Sequence, residues 1–445
     1  MGPYRSATGG QPPTRGLPIA AAFRAVIVPF AVSRGAVLLI GLVAATLIGY
    51  DPPPTEQATW RVAADPVRNL LARWDTFWYL DIASRGYQWN GNPLEQQNVV
   101  FFPLYPLLMR LSGALLGGHP LAGGLAVSLL AFLFALVYLW RLVADQFGTE
   151  TATAAVVLLC SFPFAVFFSA VYTESVFLLI IVAAFFHARR REFGTAAVWG
   201  LLAGLARPNG FLLAVPMAWL AIIESRDDAR SVSQKYEHAP SRPAPPAKNG
   251  RNSCGRPARS ALLGARGALR GRAPRRDNAR GYAMRALAPL AIVAPIAGVL
   301  LYSAYLKLAV GQAFAWVSGQ AAWPTIAPWT KNAAASILRP AEPISPWDVV
   351  VHVGNAASIG IAAAGLLPLT RLLGIAYGVF VALNILPPIA RHGLVSLGRF
   401  TSVMFPLFVW LATSVQERRR RALVIAFAIG QAIAATLFFT WRPLV

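Results

Sequence analysis

Apolar stretches of about the length needed to cross a bilayer, roughly 20 residues, recur along the whole chain, separated by short polar or basic breaks. The pattern predicts about eleven membrane passes, at 25–48, 121–141, 151–169, 173–188, 195–207, 210–223, 286–308, 347–369, 372–390, 400–415 and 422–441. Two polar stretches are too long to be mere turns, 49–120 and 309–346, and a third, 224–285, carries 15 basic against 5 acidic residues. The predicted fold class is therefore an all-α polytopic membrane protein whose first large loop carries helices lying in the interface.

Charge orients this bundle. Arg189–Arg191, the segment 226–285 and Arg418–Arg421 are basic clusters beside apolar runs, and such clusters stay in the cytoplasm. An even number of crossings must then separate Arg191 from Arg226, so the apolar stretch 193–223 is read as two short limbs. They meet at Arg207-Pro208-Asn209-Gly210, a break tolerated only where protein or a wet cavity receives the freed backbone groups. The N-terminus is expected inside and loop 49–120 outside. The expected organisation is a cytoplasmic tail at 1–24, an N-terminal membrane module at 25–223, a basic disordered loop at 224–285 and a C-terminal membrane module at 286–445.

Composition narrows the function classes. With 56% hydrophobic and only 13% charged residues the chain is no soluble enzyme, and its net charge of +22 is concentrated where it reads as a topology signal. The basic loop suits anionic lipid at the inner leaflet better than nucleic acid. Its two cysteines lie in dissimilar segments, and no His-x-x-x-His, cysteine cluster or nucleotide-binding loop occurs, so the residues call for no cofactor and indicate no metal. The first apolar run is too long for a cleavable signal peptide and is expected to remain as an anchor.

The chemistry-bearing residues gather in the outer segments. Asp51, Asp65, Asp75, Asp81 and Glu95 all fall in the first loop. Within Arg73–Ala83, read as an interfacial helix with Trp74, Phe77 and Trp78 on one side, Asp75 and Tyr79 share a neighbouring face. Asp81 points about 120° away and is expected to pair with Arg85 four residues on. Glu174 falls at the outer end of a pass, where a helix dipole alone would favour an acid. Arg207 is costly in an apolar region unless it is paired with Glu174 or Asp75 or meets an anion. Arg399, at the edge of another pass, fits either a snorkelling end residue or a second anion contact.

Taken in order, Trp74-Asp75 with Trp78-Tyr79, Ile82-Ala83 and Gly86-Tyr87, then Phe101-Phe102-Pro103-Leu104-Tyr105-Pro106, resemble the first-loop signature of PIG-V-type mannosyltransferases. Phe168–Ser175, Ala206–Gly210 and Gly398-Arg399-Phe400 extend the resemblance. The family is of the GT-C class, so the resemblance implies transfer of mannose from a polyprenyl-phosphate carrier, with inversion, on the extracytoplasmic face. It implies Asp75 as general base, Arg207 and Arg399 at the departing phosphate, and Trp74, Tyr79, Tyr172, Glu174 and Asn209 placing sugar or acceptor. The implied partners are a polyprenyl-phosphate-linked sugar, a lipid or glycan acceptor and membrane lipids. The arginine-rich composition suggests a bacterial cytoplasmic membrane. A transporter or lipid flippase would also use many passes and a broken helix, but it predicts repeated halves, which the sequence does not display.

Overall fold

The computed structural model describes residues 18–50, 62, 65, 67, 69–223, 286–323, 346–392, 396–442 and 444. Asp51 and the basic loop 224–285 lie outside the described residues, as do 324–345 of the polar stretch 309–346. Among the described residues all regular structure is helical: α1 (Ile19–Leu47), α2 (Thr76–Arg85), α3 (Leu104–Leu115), α4 (Pro120–Ser161), α5 (Glu174–Arg189), α6 (Phe193–Ala206) and α7 (Ala214–Ala218), then α8 (Ala288–Val310), α9 (Ala315–Ser318), α10 (Pro346–Leu373), α11 (Ile375–His392), α12 (Leu397–Ser402), α13 (Phe405–Ser414) and α14 (Glu417–Phe439).

Five helices are long and apolar enough to cross a membrane singly: α1, α4, α8, α14 and, within α10, Val349–Leu373. The remaining expected passes appear as shorter or broken apolar helices, namely α5, α6, Pro208–Ala221, Ile375–Ala390 and α13. Two expected passes belong to α4, whose 42 residues form two helical limbs that meet in a kink at Gly148, where φ is 84°.

The expected pass 151–169 differs in its second half. Its α-helix ends at Ser161, Pro163–Ser169 follow as a 3-10 helix, and that segment meets α5 at 100°. Breaking a helix inside an apolar bundle frees carbonyls that water cannot reach. Buried side chains from other helices meet them here. Arg34 of α1 donates to the carbonyls of Cys160 and Ala165 and to Ser169 Oγ, and Gln431 of α14 donates to the carbonyls of Cys160 and Phe162, both at 3.0 Å. Arg34 therefore holds the broken segment that delivers Glu174.

Close packing depends on small residues. A Cβ at Gly204 would stand 2.1 Å from the carbonyl oxygen of Pro295, and one at Gly298 would stand 2.3 Å from that of Leu201, so α6 and α8 touch backbone to backbone. After Arg207, the segment 208–223 packs back along α8 and against α11. The interruption expected there is real: Arg207 is extended, with φ −152° and ψ 153°.

Two ends of the bundle are chemically distinct. At one, Arg190 meets Asp145 at 3.1 Å and Arg420 lies 3.9 Å from Glu150, close to the Gly148 turn. The other end receives α2, α3 and the start of α5. Helix α14 connects the two, with Arg420 near its start and Phe439 at its finish; its 23 residues span about 35 Å, roughly a bilayer core.

The first long polar segment folds over the second end. Tyr302 of α8 donates to the carbonyl of Val99 at 2.7 Å, and Val99, Val100, Phe102, Tyr302, Leu306 and Ala315 form a separate apolar cluster. The α2 aromatics pack on protein: Trp78 stacks on Phe101 with centroids 5.7 Å apart, and Phe77 lies on Trp441 at 6.0 Å.

Candidate active site

Four charged side chains from four separate elements meet where the first long polar segment closes on the bundle. Asp75 immediately precedes α2, Glu174 opens α5, Arg207 follows α6, and Arg399 lies in the short helix α12. Arg399 links the acids: its Nη1 donates to Asp75 Oδ2 at 2.7 Å and its Nε to Glu174 Oε1 at 2.5 Å. Arg207 donates from Nη1 to the same Glu174 oxygen at 3.1 Å. Two cations thus balance two carboxylates. Their guanidinium planes are held by rings as well, Arg399 over Tyr172 at 4.6 Å and Arg207 over Phe400 and Phe177 at 5.4 and 5.5 Å.

The two acids differ in exposure. The Glu174 side chain is fully buried, whereas that of Asp75 is 27% exposed. Glu174 therefore anchors both arginines from beneath, with its Oε2 buried and unpartnered, while Asp75 presents a carboxylate to an incoming molecule. Burial alone would lower the pKa of Arg399, but the carboxylates of Glu174 and Asp75 outweigh it and hold the guanidinium well above its ordinary value. It stays charged at any physiological pH. Arg399 is aimed by its neighbours: Gly398 donates its N–H to Asn355 Oδ1 at 2.7 Å, and a Cβ at Gly398 would strike the Phe164 ring at 2.2 Å. A snorkelling role for Arg399 is excluded by these contacts, since the side chain points inward.

Tyr172 and Tyr79 lie beneath the tetrad. Tyr172 Oη accepts from the Asp75 N–H at 3.1 Å and donates to the carbonyl of Arg73 at 3.4 Å. The Tyr79 ring packs edge-on against Phe101 and Tyr105, at 5.2 and 5.1 Å. Burial raises the pKa of both phenols, reinforced by the Asp75 charge, so both remain protonated. Asn209 does not touch the tetrad; its Nδ2 donates to Asn384 Oδ1 at 2.7 Å and ties the 207–210 tip to α11. The Trp74 ring lies 5.2 Å from that of Trp441, and its Nε1 is buried without a partner. Asp81 is engaged as expected, accepting from Arg85 Nε at 2.6 Å and also from Asn98 Nδ2 at 2.7 Å. Among the described residues no three potential metal-ligating side chains are gathered together.

The run from Arg73 is not helical from its start. Helix α2 begins at Thr76, Trp74 adopts φ of 48°, and the Arg73 side chain donates to the carbonyl of Phe439. Several contributors were invisible by motif: Arg73, Asn98, Asn355, Asn384 and Trp441 each have a partner from a distant part of the sequence. For Arg73 the available signal was its place directly before Trp74-Asp75.

Residues 52–225 match the family model of the PIG-V mannosyltransferases. No curated protein and no solved structure matches the chain. The PIG-V match contains Asp75, Glu174 and Arg207 and ends well before Arg399, which the fold adds to the same cluster. It supports a membrane glycosyltransferase of mannosyl transfer, built on an all-α polytopic chain.

Proposed function

We propose that the protein is an inverting mannosyltransferase that moves mannose from polyprenyl-phosphate-mannose to a hydroxyl of a lipid or glycan acceptor on the extracytoplasmic face of the membrane. The observation that carries this is the Asp75 carboxylate, the more exposed acid of the tetrad, poised 2.7 Å from a guanidinium. The acceptor oxygen attacks the mannose anomeric carbon as Asp75 takes its proton. The bond from that carbon to the phosphate oxygen breaks, and its electron pair leaves with the polyprenyl phosphate. That leaving group gains negative charge, which Arg399 and Arg207 meet with charge-assisted hydrogen bonds.

A phosphate drawn to Arg399 competes with Asp75 for the same Nη1, so donor binding frees Asp75 Oδ2 for the acceptor proton. Glu174 keeps both arginines in place while this exchange occurs. The sidedness has its support in the two ends of the bundle: the Arg190 and Arg420 end suits the cytoplasm under the positive-inside rule, and the tetrad lies at the other end.

The test is incubation of purified protein with mannose-labelled polyprenyl-phosphate-mannose and a membrane lipid extract. Labelled mannose is expected in a new product with the opposite anomeric configuration from the donor, formed by wild type and lost in Asp75→Asn. An unconsumed donor, or equal turnover in Asp75→Asn, would overturn the proposal.

A further inference from the structure

Arg73 belongs to no charged cluster, yet its side chain is completely buried and forms no ion pair among the described residues. Its guanidinium is tied to three backbone carbonyls. Nε and Nη2 donate to the carbonyl of Phe439 at 3.0 and 2.9 Å, and Nη1 donates to the carbonyls of Ala72, at 2.7 Å, and Asn69. The rings of Tyr50 and Trp441 flank the guanidinium at 4.8 and 5.4 Å. Phe439 is the last residue of α14, so the cation meets the electronegative end of that helix, where its charge is favoured.

Strain is concentrated at this junction. Trp74 and Trp441, with φ of 48° and 63°, both occupy the left-handed region, which bulky side chains avoid unless their surroundings over-determine it. Their rings contact one another beside Arg73. Asp75 is the next residue, and the Tyr172 hydroxyl bridges the strained position by bonding the Asp75 N–H on one side and the Arg73 carbonyl on the other. Were the helix to begin at Arg73, the Trp74 dihedrals would change and the Asp75 carboxylate would swing off Arg399.

We propose that Arg73, assisted by Tyr172, is the positioning residue for Asp75, coupling the active-site turn to the C-terminal end of α14. The proposal rests on Asp75 being the general base. It extends the functional unit to the Phe439–Trp441 end of the chain, which lies outside the family match.

Kinetics and hydrogen exchange on the full-length protein test it. Arg73→Lys keeps the charge but loses the planar fork. Tyr172→Phe removes one hydroxyl and serves if Arg73→Lys does not fold. With polyprenyl-phosphate-mannose as donor, Arg73→Lys is expected to lower kcat about 10- to 100-fold, the scale of a displacement of about 1 Å. Tyr172→Phe should lower it about 5- to 10-fold, the scale of one hydrogen bond. In each, KM for the donor stays within about threefold, and neither lowers the residual rate of Asp75→Asn further, because residues acting as a unit are not additive. Backbone amides of 74–79 and 437–441 should exchange faster together. A rise in KM with kcat unchanged, an undiminished loss in the Asp75→Asn background, or exchange altered on one side only would overturn the proposal. If wild type transfers no mannose, the proposed function fails, and the exchange measurement alone decides whether the two segments are coupled.

Discussion

Arg399 and Asp75 lie 324 positions apart in sequence and 2.7 Å apart in the fold. The contact closes the candidate site, because it brings a cation from the C-terminal part of the chain onto the more accessible acid of the tetrad. Replacing Asp75 by Asn keeps shape and removes the proton acceptor. Turnover should fall by about 10²–10⁴, the usual range for a lost general base, with thermal stability close to wild type and donor affinity no weaker, since Asp75 no longer competes with the phosphate for Arg399. Initial-rate kinetics beside a melting curve would check this, and near-normal turnover would refute the role.

Glu174 and Arg207 make a different forecast, since their pair is buried. Leaving one member of such a pair without its partner costs about 3–5 kcal/mol, so Arg207→Ala and Glu174→Gln should each lower thermal stability clearly. The double variant should be less unstable than the sum of the two. A phosphate role for Arg207 adds a second requirement: Arg207→Lys should still bind donor but turn over more slowly, because a point charge replaces a bidentate donor. Unchanged donor affinity and rate in Arg207→Lys, despite non-additive stability, would leave the residue a purely structural partner.

Asp81 should behave unlike Asp75. It is held by Arg85 and Asn98, away from the tetrad, so Asp81→Asn is expected to cost no more than about 1–3 kcal/mol in stability and to leave turnover within a few-fold of wild type. A dead Asp81→Asn enzyme, with Asp75→Asn active, would exchange the roles of the two acids.

Gly210 controls the placement of Arg207. A Cβ there would lie 1.9 Å from the carbonyl oxygen of Ala203, a backbone atom of α6 that cannot move aside without dislodging the helix. Gly210→Ala should therefore shift the Arg207 tip and reduce turnover by at least about tenfold, given how steeply rates depend on placement of about 1 Å. Full activity in this variant would show that the tip is more adaptable than its packing implies.

Sidedness can be checked by labelling single introduced cysteines in sealed membranes. A cysteine at Asn90 should react from the extracytoplasmic side and one near position 250 only from the cytoplasm. Labelling of both from one side would remove the parity argument and with it the outer location of the tetrad.

Periodicity and charge in the sequence alone determined that this is a helical membrane bundle, because the hydrocarbon core demands long apolar stretches and leaves basic clusters at one face. Local spacing also determined the Asp81 and Arg85 pair and the interruption at Arg207-Pro208-Asn209-Gly210, since both depend on neighbours a few residues away. It singled out Arg207 as a costly residue to keep, while Asp75, Glu174 and Arg399 joined it as site candidates through the resemblance to the PIG-V family. Their union was decided only by the tertiary structure. Sequence spacing cannot say that α12 returns to the first outer segment, that one Glu174 oxygen serves two guanidinium groups, or that Asp75 is the acid left partly open. Nor could it foresee that Arg73 would be drawn to the carbonyl of Phe439, 366 positions away, which unwinds the expected start of α2 and puts Trp74 in the left-handed region. The physical reason is common to all of these. A buried charge takes whatever partner the packed bundle brings within about 3 Å, and that proximity comes from helices packing against one another rather than from the order of residues along the chain.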